Sequence, residues 1–582
     1  MSQAGKLLIS LALTLLAFTC RADSETQSPA MQAYQEVTPL RDRHEDVIYN
    51  GAEATSAELQ AVIDDLDRGL AKLDSPLYQD LAEGNLYLRF RRFNFLIDKI
   101  KVYARMGRTD AALEAWDALT RMAWLPAIPV LADDTNVKSL LDDPRAAALL
   151  ARQAVAARWA AAPAFKTDYR DPLPVEERIA GLSSIWSSAR DGFVWFDHVP
   201  DLDWDRAYLD ALPRVIAAAN NEDYFRELMR FTALLKDGHS NAYPPEALAP
   251  KFYSRPGLRT ALVDKQVLVT EVRDPKLSRL GMQVGDQILR IDGEPVRTYA
   301  ERQIAPFESS STPQDLQVRT YGYGLLSGAD DRPVRLQLQH ANGELYALSA
   351  PRSGYTPTAA KPNEHFELRA DGVAVLRAGQ FESDAAHKLL QEHLDELMSA
   401  RAFILDLRGN GGGSSNLGWD LLTYLSKAPI ATARSSYRAQ SYYHRARSGD
   451  QTQIEWRTLP AEPYSAVRKR VFNGPVAMLI DARTFSAGED TAAAFKLMQR
   501  GPIIGSASGG SSGQPMELSL PGGGSARICV KRDVYPDGSS FVGVGVLPDI
   551  VVEPTIASVR AGTDPALDRA VVELLKGQPA AD

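Results

Sequence analysis

The chain has 582 residues, 45% of them apolar and 24% charged, and carries a formal net charge of −9. That length exceeds what one hydrophobic core serves, so roughly two to four domains are expected, and the composition excludes wholesale disorder or a polytopic membrane protein. The acidic balance offers no basic face to DNA or RNA, so no nucleic-acid partner is expected.

In chain order, residues 1–22 have the pattern of a secretory signal peptide. Lys6 supplies the positive start, Leu7 to Phe18 form an apolar run too short to span a bilayer, and Ala22 precedes the cleavage position. The expectation is a secreted protein, periplasmic in a Gram-negative cell, with no integral membrane domain after cleavage; an uncleaved anchor or lipidation of Cys20 are the alternatives. Cleavage leaves Cys529 as the single cysteine, which forbids an internal disulfide. Residues 23–55 are polar and patternless and read as a linker. Residues 56–165 are helical, with apolar positions three and four apart in "AELQAVIDDLDRGLAKL", "ARMGRTDAALEAWDALTRM" and "DPRAAALLARQAVAARW". Gly107, followed by Ala111, Ala112 and Leu113, resembles the turn of a tetratricopeptide helix pair, and a plain helical hairpin bundle fits equally.

Residues 175–250 form a second helical segment whose last helix runs into "KDGHSNAYPP", with Gly238 a stop signal and His239 on the turn. Residues 251–352 change to β character. "ALVDKQVLVTEV" alternates as a strand, and "LSRLGMQVGDQILRIDGEPV" resembles a PDZ domain with a hairpin tip at Asp292-Gly293. A PDZ domain accepts an extended peptide at a sheet edge, here near Leu262 to Val272, whereas a PDZ-shaped spacer would bind nothing. Residues 301–330 are an insertion too long for a compact PDZ loop. From 360 to 557 strands such as "GVAVLRAG", "AFILDLRG" and "PVAMLID" alternate with amphipathic helices, the pattern of a sheet covered on both faces with functional loops at the strands' carboxyl ends. Residues 558–582 complete the chain as a helix and tail. The expected fold class is multi-domain α+β.

In "DARTFSAGED", Ser486 and Glu489 satisfy the S-x-x-E capping box, a sufficient structural reason for a serine there. The same place sets a hydroxyl at the positive end of a helix, where an alkoxide is favoured. Nucleophilic use needs a base, and His239 is the histidine that lies in a glycine turn beside a proline pair. In "DLRGNGGGSS" the successive glycines leave amides unobstructed, as an oxyanion hole or a tight turn requires, and no P-loop lysine accompanies them.

The order of "DGHS", "GMQVGDQILRIDGEPV", "FILDLRGNGGG", "LIDARTFSAGED", "IIGSASGGSSGQ" and "VGVGVLPDIVVEP", over roughly residues 175–557, resembles the tail-specific, or C-terminal processing, family of serine proteases. The resemblance implies a crotonase- or ClpP-like α/β core with an attached helical segment and PDZ domain. It also implies cleavage of protein or peptide substrates without metal or organic cofactor. Ser486 matches the family nucleophile, and Gly412 or Gly411 with Ala487 match the oxyanion amides. The family's lysine is absent, because Ser511 stands at its position. His239 instead matches the base of the histidine-using, tricorn-core-like branch, but Val542 stands about where that branch has an acid. Asp237, Ser240, Asp533 and Asp537 are the candidates for orienting the ring, while Lys496 and Lys531 are read as structural charges. The alternatives are a peptide-binding scaffold that has lost activity and a hydrolase of small acyl substrates.

Overall fold

The computed structural model describes residues 29–49, 54–122, 135, 137–161, 165–353, 364–439, 442–449, 454–459, 463–465 and 468–576. The expected signal peptide and Cys20 lie outside them. The chain divides into two compact units, one within Ala22–Ala164 and one within Phe165–Asp582. No helix of the described residues is long and apolar enough to cross a membrane.

The first unit is helical: Pro29–Asp42, Glu45–Tyr49, Ser56–Leu73, Pro76–Gly84, Leu86–Arg105, Thr109–Thr120 and Pro144–Ala161. The segment read as a linker is therefore mostly helix. Ala30, Ala33, Val37 and Ile48 are buried in the same core as Leu66, Phe95 and Trp116, with Tyr34, Leu40 and Val47 packed against it, and their spacing among polar residues hides the period. Gly107, at φ +68°, makes the turn between the Leu86–Arg105 and Thr109–Thr120 helices.

The second unit opens with the helices Val175–Gly192, Trp204–Ala217 and Asn221–Ala233, followed by β1 (Asn241–Tyr243). The β-rich stretch holds β2 (Leu258–Val263), β3 (Gln266–Val272), β4 (Gln287–Ile291), β5 (Glu294–Pro295), β6 (Val334–Gln339) and β7 (Leu345–Ala350). They pair in the order β2-β3-β4-β6-β7, with β5 beside β4. The string read as one alternating strand is a hairpin, β2 to β3, because Asp264 and Lys265 both take positive φ, +46° and +67°. Such a two-residue turn normally announces itself with glycine or asparagine.

Next come β8 (His365–Leu368), β9 (Val373–Arg377), β10 (Ala402–Asp406), β11 (Arg434–Ala439), β12 (Glu455–Thr458) and β13 (Val476–Ile480). After them lie β14 (Ile503–Gly505), β15 (Pro515–Ser519), β16 (Ser525–Cys529), β17 (Arg532–Val534) and β18 (Ile550–Val551). The central sheet runs β18-β14-β13-β10-β9-β8, with β18 through β9 parallel and β8 antiparallel at the edge. Alternate residues point to opposite faces. Val375, Ile404, Leu479 and Ile504 pack against Ala570 and Leu574 of the Pro565–Leu575 helix. Leu376, Leu405, Met478 and Ile480 join the larger core that contains Leu421 and Phe495. Both faces are thus dry, which is why these strands are continuously apolar. The helix set apart at 558–582 is half of that cover.

Two small sheets complete the unit. In the order β1-β16-β15, the strand that follows His239 lies antiparallel to β16, Ala242 opposite Ala526. In the order β12-β11-β17, Ser435 faces Asp533.

Candidate active site

Three loops leave the carboxyl ends of adjacent parallel strands: 407–414 after β10, 481–486 after β13 and 506–512 after β14. The first two are tied together. Asp481 Oδ1 accepts the amides of Gly409 and Arg483, both at 2.9 Å, and Thr484 Oγ1 donates to the Leu407 carbonyl at 2.9 Å. The turn ends on Ser486 with φ +54° and ψ −123°, a region that a side chain enters only under constraint. It sits directly before the Ala487–Met498 helix, so a buried strand, a sharp turn and a helix present the hydroxyl outward.

The capping box is not formed. Ser486 makes no side-chain cap, and the Glu489 carboxylate turns away to accept Ser508 Oγ and the amides of Gly510 and Ser511, at 2.5, 2.6 and 2.7 Å. Burial pushes the Glu489 carboxyl up to about 8 against these donors. Glu489 therefore anchors the third loop, while Ser486 Oγ lies 3.0 Å from His239 Nε2.

His239 reaches the site on the turn that follows the Asn221–Ala233 helix. The left-handed residue there is Lys236, at φ +47°, and not the predicted stop Gly238. Gly238 is needed for closeness instead: a Cβ on it would come within 2.9 Å of the Phe485 ring and 3.0 Å of Ser511 Oγ. The imidazole stacks on Phe485, with ring centroids 4.8 Å apart and planes at 24°. Its Nδ1 lies 2.9 Å from Ser511 Oγ. Burial pushes the ring down to about 3, helped by the positive charges of Arg319, Arg527 and Lys531.

None of the four residues predicted to orient the ring contacts it through a side chain. Asp237 accepts Ser240 Oγ at 2.6 Å, and Ser240 Oγ in turn accepts the Cys529 amide at 3.0 Å. Burial raises the Asp237 carboxyl to about 6. Asp533 accepts Ser435 Oγ at 2.6 Å and pairs with Lys531 at 3.1 Å. Asp537 accepts Ser539, a turn contact. The partner is Ser511, which the sequence marked only as the place of a missing lysine. Lys496 donates to the Leu547 carbonyl at 2.8 Å.

Of the three amides expected to face an oxyanion, Gly412 is already committed to Asn410 Oδ1 at 2.9 Å. Those of Gly411 and Ala487 donate to nothing among the described residues. Asn410 is fully buried, donates to the Ala378 carbonyl at 2.8 Å, and accepts the Phe485 amide on its own carbonyl at 2.9 Å. It thereby binds the glycine loop to the serine turn, a role that an asparagine inside a glycine string does not announce.

Residues 372–552 match the family described as Peptidase family S41. That stretch, about a third of the chain, is similar to a peptidase family S41 domain. Ser486, Ser511 and the glycine loop fall within the matched stretch, whereas His239 and the 301–330 insertion precede it. The chain is 26% identical over 307 residues to the carboxyl-terminal-processing protease of Synechocystis sp., covering 51% of this chain and 62% of that protein. It is 26% identical over 440 residues to the putative tricorn protease homolog 2 of Streptomyces coelicolor, covering 67% of this chain and 32% of that one. The chain thus spans about three-fifths of the length of the first relative and a third of the second. Among solved structures, mature CPAF complexed with lactacystin matches 69% of this chain and 99% of its own, with a TM-score of 0.56 and 13% identity, a likeness of fold.

Proposed function

We propose that the protein is a serine peptidase acting on protein or peptide chains, with Ser486 as nucleophile and His239 as general base. The observation that carries this reading is the 3.0 Å approach of Ser486 Oγ to His239 Nε2 at a strained strand-to-helix turn. In the reaction, Nε2 takes the hydroxyl proton as Oγ bonds to the scissile carbonyl carbon. The carbonyl oxygen becomes an oxyanion received by the free amides of Gly411 and Ala487. The imidazolium then protonates the leaving amine, the C–N bond breaks, and water repeats the sequence on the acyl-enzyme. Burial first, and then Arg319, Arg527 and Lys531, make the imidazolium short-lived, and the positive field of these three also favours the oxyanion. Gly412 would join the hole only by giving up Asn410.

A sheet buried on both faces, with its loops at the carboxyl ends of parallel strands, supports reading the core as crotonase- or ClpP-like. The five-stranded order with a hairpin at Asp292-Gly293 supports a PDZ-like reading of the β-rich stretch. Edge strand β2 would be its peptide-accepting side, although Gln317 Nε2 already donates to the Leu262 carbonyl there at 3.1 Å. A peptide-holding scaffold is the second reading, favoured by a ring held near 3 with a hydroxyl where a carboxylate would support it.

The test is labelling by a fluorophosphonate probe together with cleavage of an unstructured protein. The wild type is expected to label and cleave, and Ser486→Ala to do neither. A wild type inert to both assays selects the scaffold, and undiminished turnover in Ser486→Ala removes the nucleophile assignment.

A further inference from the structure

The insertion at 301–330, without meaning as sequence, lies against the loops that carry His239 and Ser511. Ser309 Oγ donates to the Asp237 carbonyl at 2.9 Å, and Ser311 Oγ accepts the Gly238 amide at 3.0 Å. One residue on, Thr312 Oγ1 donates to the Gly509 carbonyl at 2.7 Å, and Gln314 Nε2 donates to the carbonyls of Ser508 and Val544 at 3.0 and 2.8 Å. From the next turn Arg319 reaches back. Its Nη2 donates to the Gly238 carbonyl at 3.2 Å, its guanidinium lies 5.3 Å from the centre of the Phe485 ring, and Asp315 Oδ2 holds its Nε at 2.8 Å. Phe485 is the ring on which His239 stacks. Arg319 therefore grips the peptide group before His239 and lies against the ring on which the imidazole stacks, with a planar fork suited to both contacts.

We propose that Arg319 is a positioning residue for His239, holding both the Gly238 backbone and the Phe485 ring on which the imidazole stacks, so that Nε2 faces Ser486. The proposal rests on the peptidase reading for its kinetic consequence. It does not need that reading for the geometry. The charged and titratable groups around the ring are Asp237 on its own loop, Arg319 with its partner Asp315 and neighbour Glu308 on the insertion, Arg527 on β16, and Lys531 beyond it. Among the cations, Arg319 acts most strongly on the ring. Its loss makes the ring easier to protonate as well as looser.

The experiment uses the full chain with Arg319→Ala, Arg319→Gln and, as a control, Arg332→Ala, whose side chain is exposed on the same β-rich stretch. Three quantities are measured: the second-order rate of fluorophosphonate labelling against pH, the thermal midpoint, and the titration of the His239 ring by imidazole NMR, assigned with His239→Gln. Arg319→Ala is expected to label roughly ten- to a hundredfold more slowly and to titrate at higher pH. Arg319→Gln, which keeps an N–H donor without charge, is expected to fall between it and the wild type in rate. Arg332→Ala should match the wild type. Unchanged labelling in both Arg319 variants overturns the proposal, as does a slower rate accompanied by an unmoved ring titration. Should the wild type itself fail to label, the peptidase reading falls, and the ring titration in Arg319→Gln still decides the positioning role: an unmoved ring sinks it. If Arg319→Ala does not fold, the same two readouts in Arg319→Gln settle the matter.

Discussion

At the scale of single residues, the site departs from a serine–histidine–carboxylate arrangement at one atom, Ser511 Oγ. A carboxylate can only accept, and so fixes the proton on Nδ1. A hydroxyl can donate or accept, and so selects the tautomer less firmly. Ser511→Ala removes one neutral hydrogen bond of about 1 kcal/mol, so kcat is expected to fall about fivefold with KM little changed, measured on a peptide substrate. The ring's depressed basicity gives a second expectation. In the proposed reaction the reacting form is the neutral imidazole, its basicity pushed down by burial to about 3 from an ordinary 6.5, so labelling should stay level as pH falls to about 5. A pH–rate profile that already breaks near 6.5 would contradict the burial argument. Stability carries both signs. Unfolded His239 takes up its proton first, so its contribution is present above 6.5 and lost as pH falls toward about 3. Asp237 binds its proton more tightly when folded, so its contribution is present below 3.8 and lost as pH rises through about 6.

At the scale of elements, three strand ends are held as one body by small contacts. Gly412, at φ +103°, approaches so closely that an added Cβ would lie 2.6 Å from Ser486 Cβ and 3.1 Å from the Ala487 amide. Gly412→Ala is expected to abolish labelling and to lower stability by about 1–3 kcal/mol, read by a denaturant melt beside the labelling assay. Glu489→Gln tests the anchor of the third loop. A glutamine presents an N–H to an amide that now donates to a carboxyl oxygen, so a loss of about 1–3 kcal/mol and slower labelling are expected in the same assays. The helices and the continuous apolar strands were legible because a buried face imposes a period on the chain. The β2–β3 hairpin was not, because Asp264 and Lys265 take positive φ without a glycine to signal it. The helix at Pro29–Asp42 does not announce itself because its docking face is only Ala30, Ala33 and Val37, flanked by the half-buried Tyr34 and Leu40, scattered among polar residues.

At the scale of the whole molecule, the two units have separate cores, one around Phe95 and Trp116 and one around the central sheet. Calorimetry is expected to resolve two unfolding transitions, with fluorophosphonate labelling lost in only one of them. A single transition that removes everything together would show the units to be energetically coupled. Within the second unit, Arg408 is bidentate to Asp564 at 2.7 Å, tying the end of β10 to the helix that covers the sheet.

The sequence by itself determined which segments have an inside, the alternation of strand and helix from 360 to 557, and the serine, histidine and glycine strings that the structure brings together. Those features are written locally, in periodicity and in short motifs. Only the tertiary structure decided that Ser511 and not an aspartate faces the ring, that Glu489 anchors a loop in place of a capping box, and that the 301–330 insertion braces the histidine. A hydrogen bond between residues hundreds of positions apart leaves no periodic trace in the chain, because its partners are chosen by packing and not by spacing.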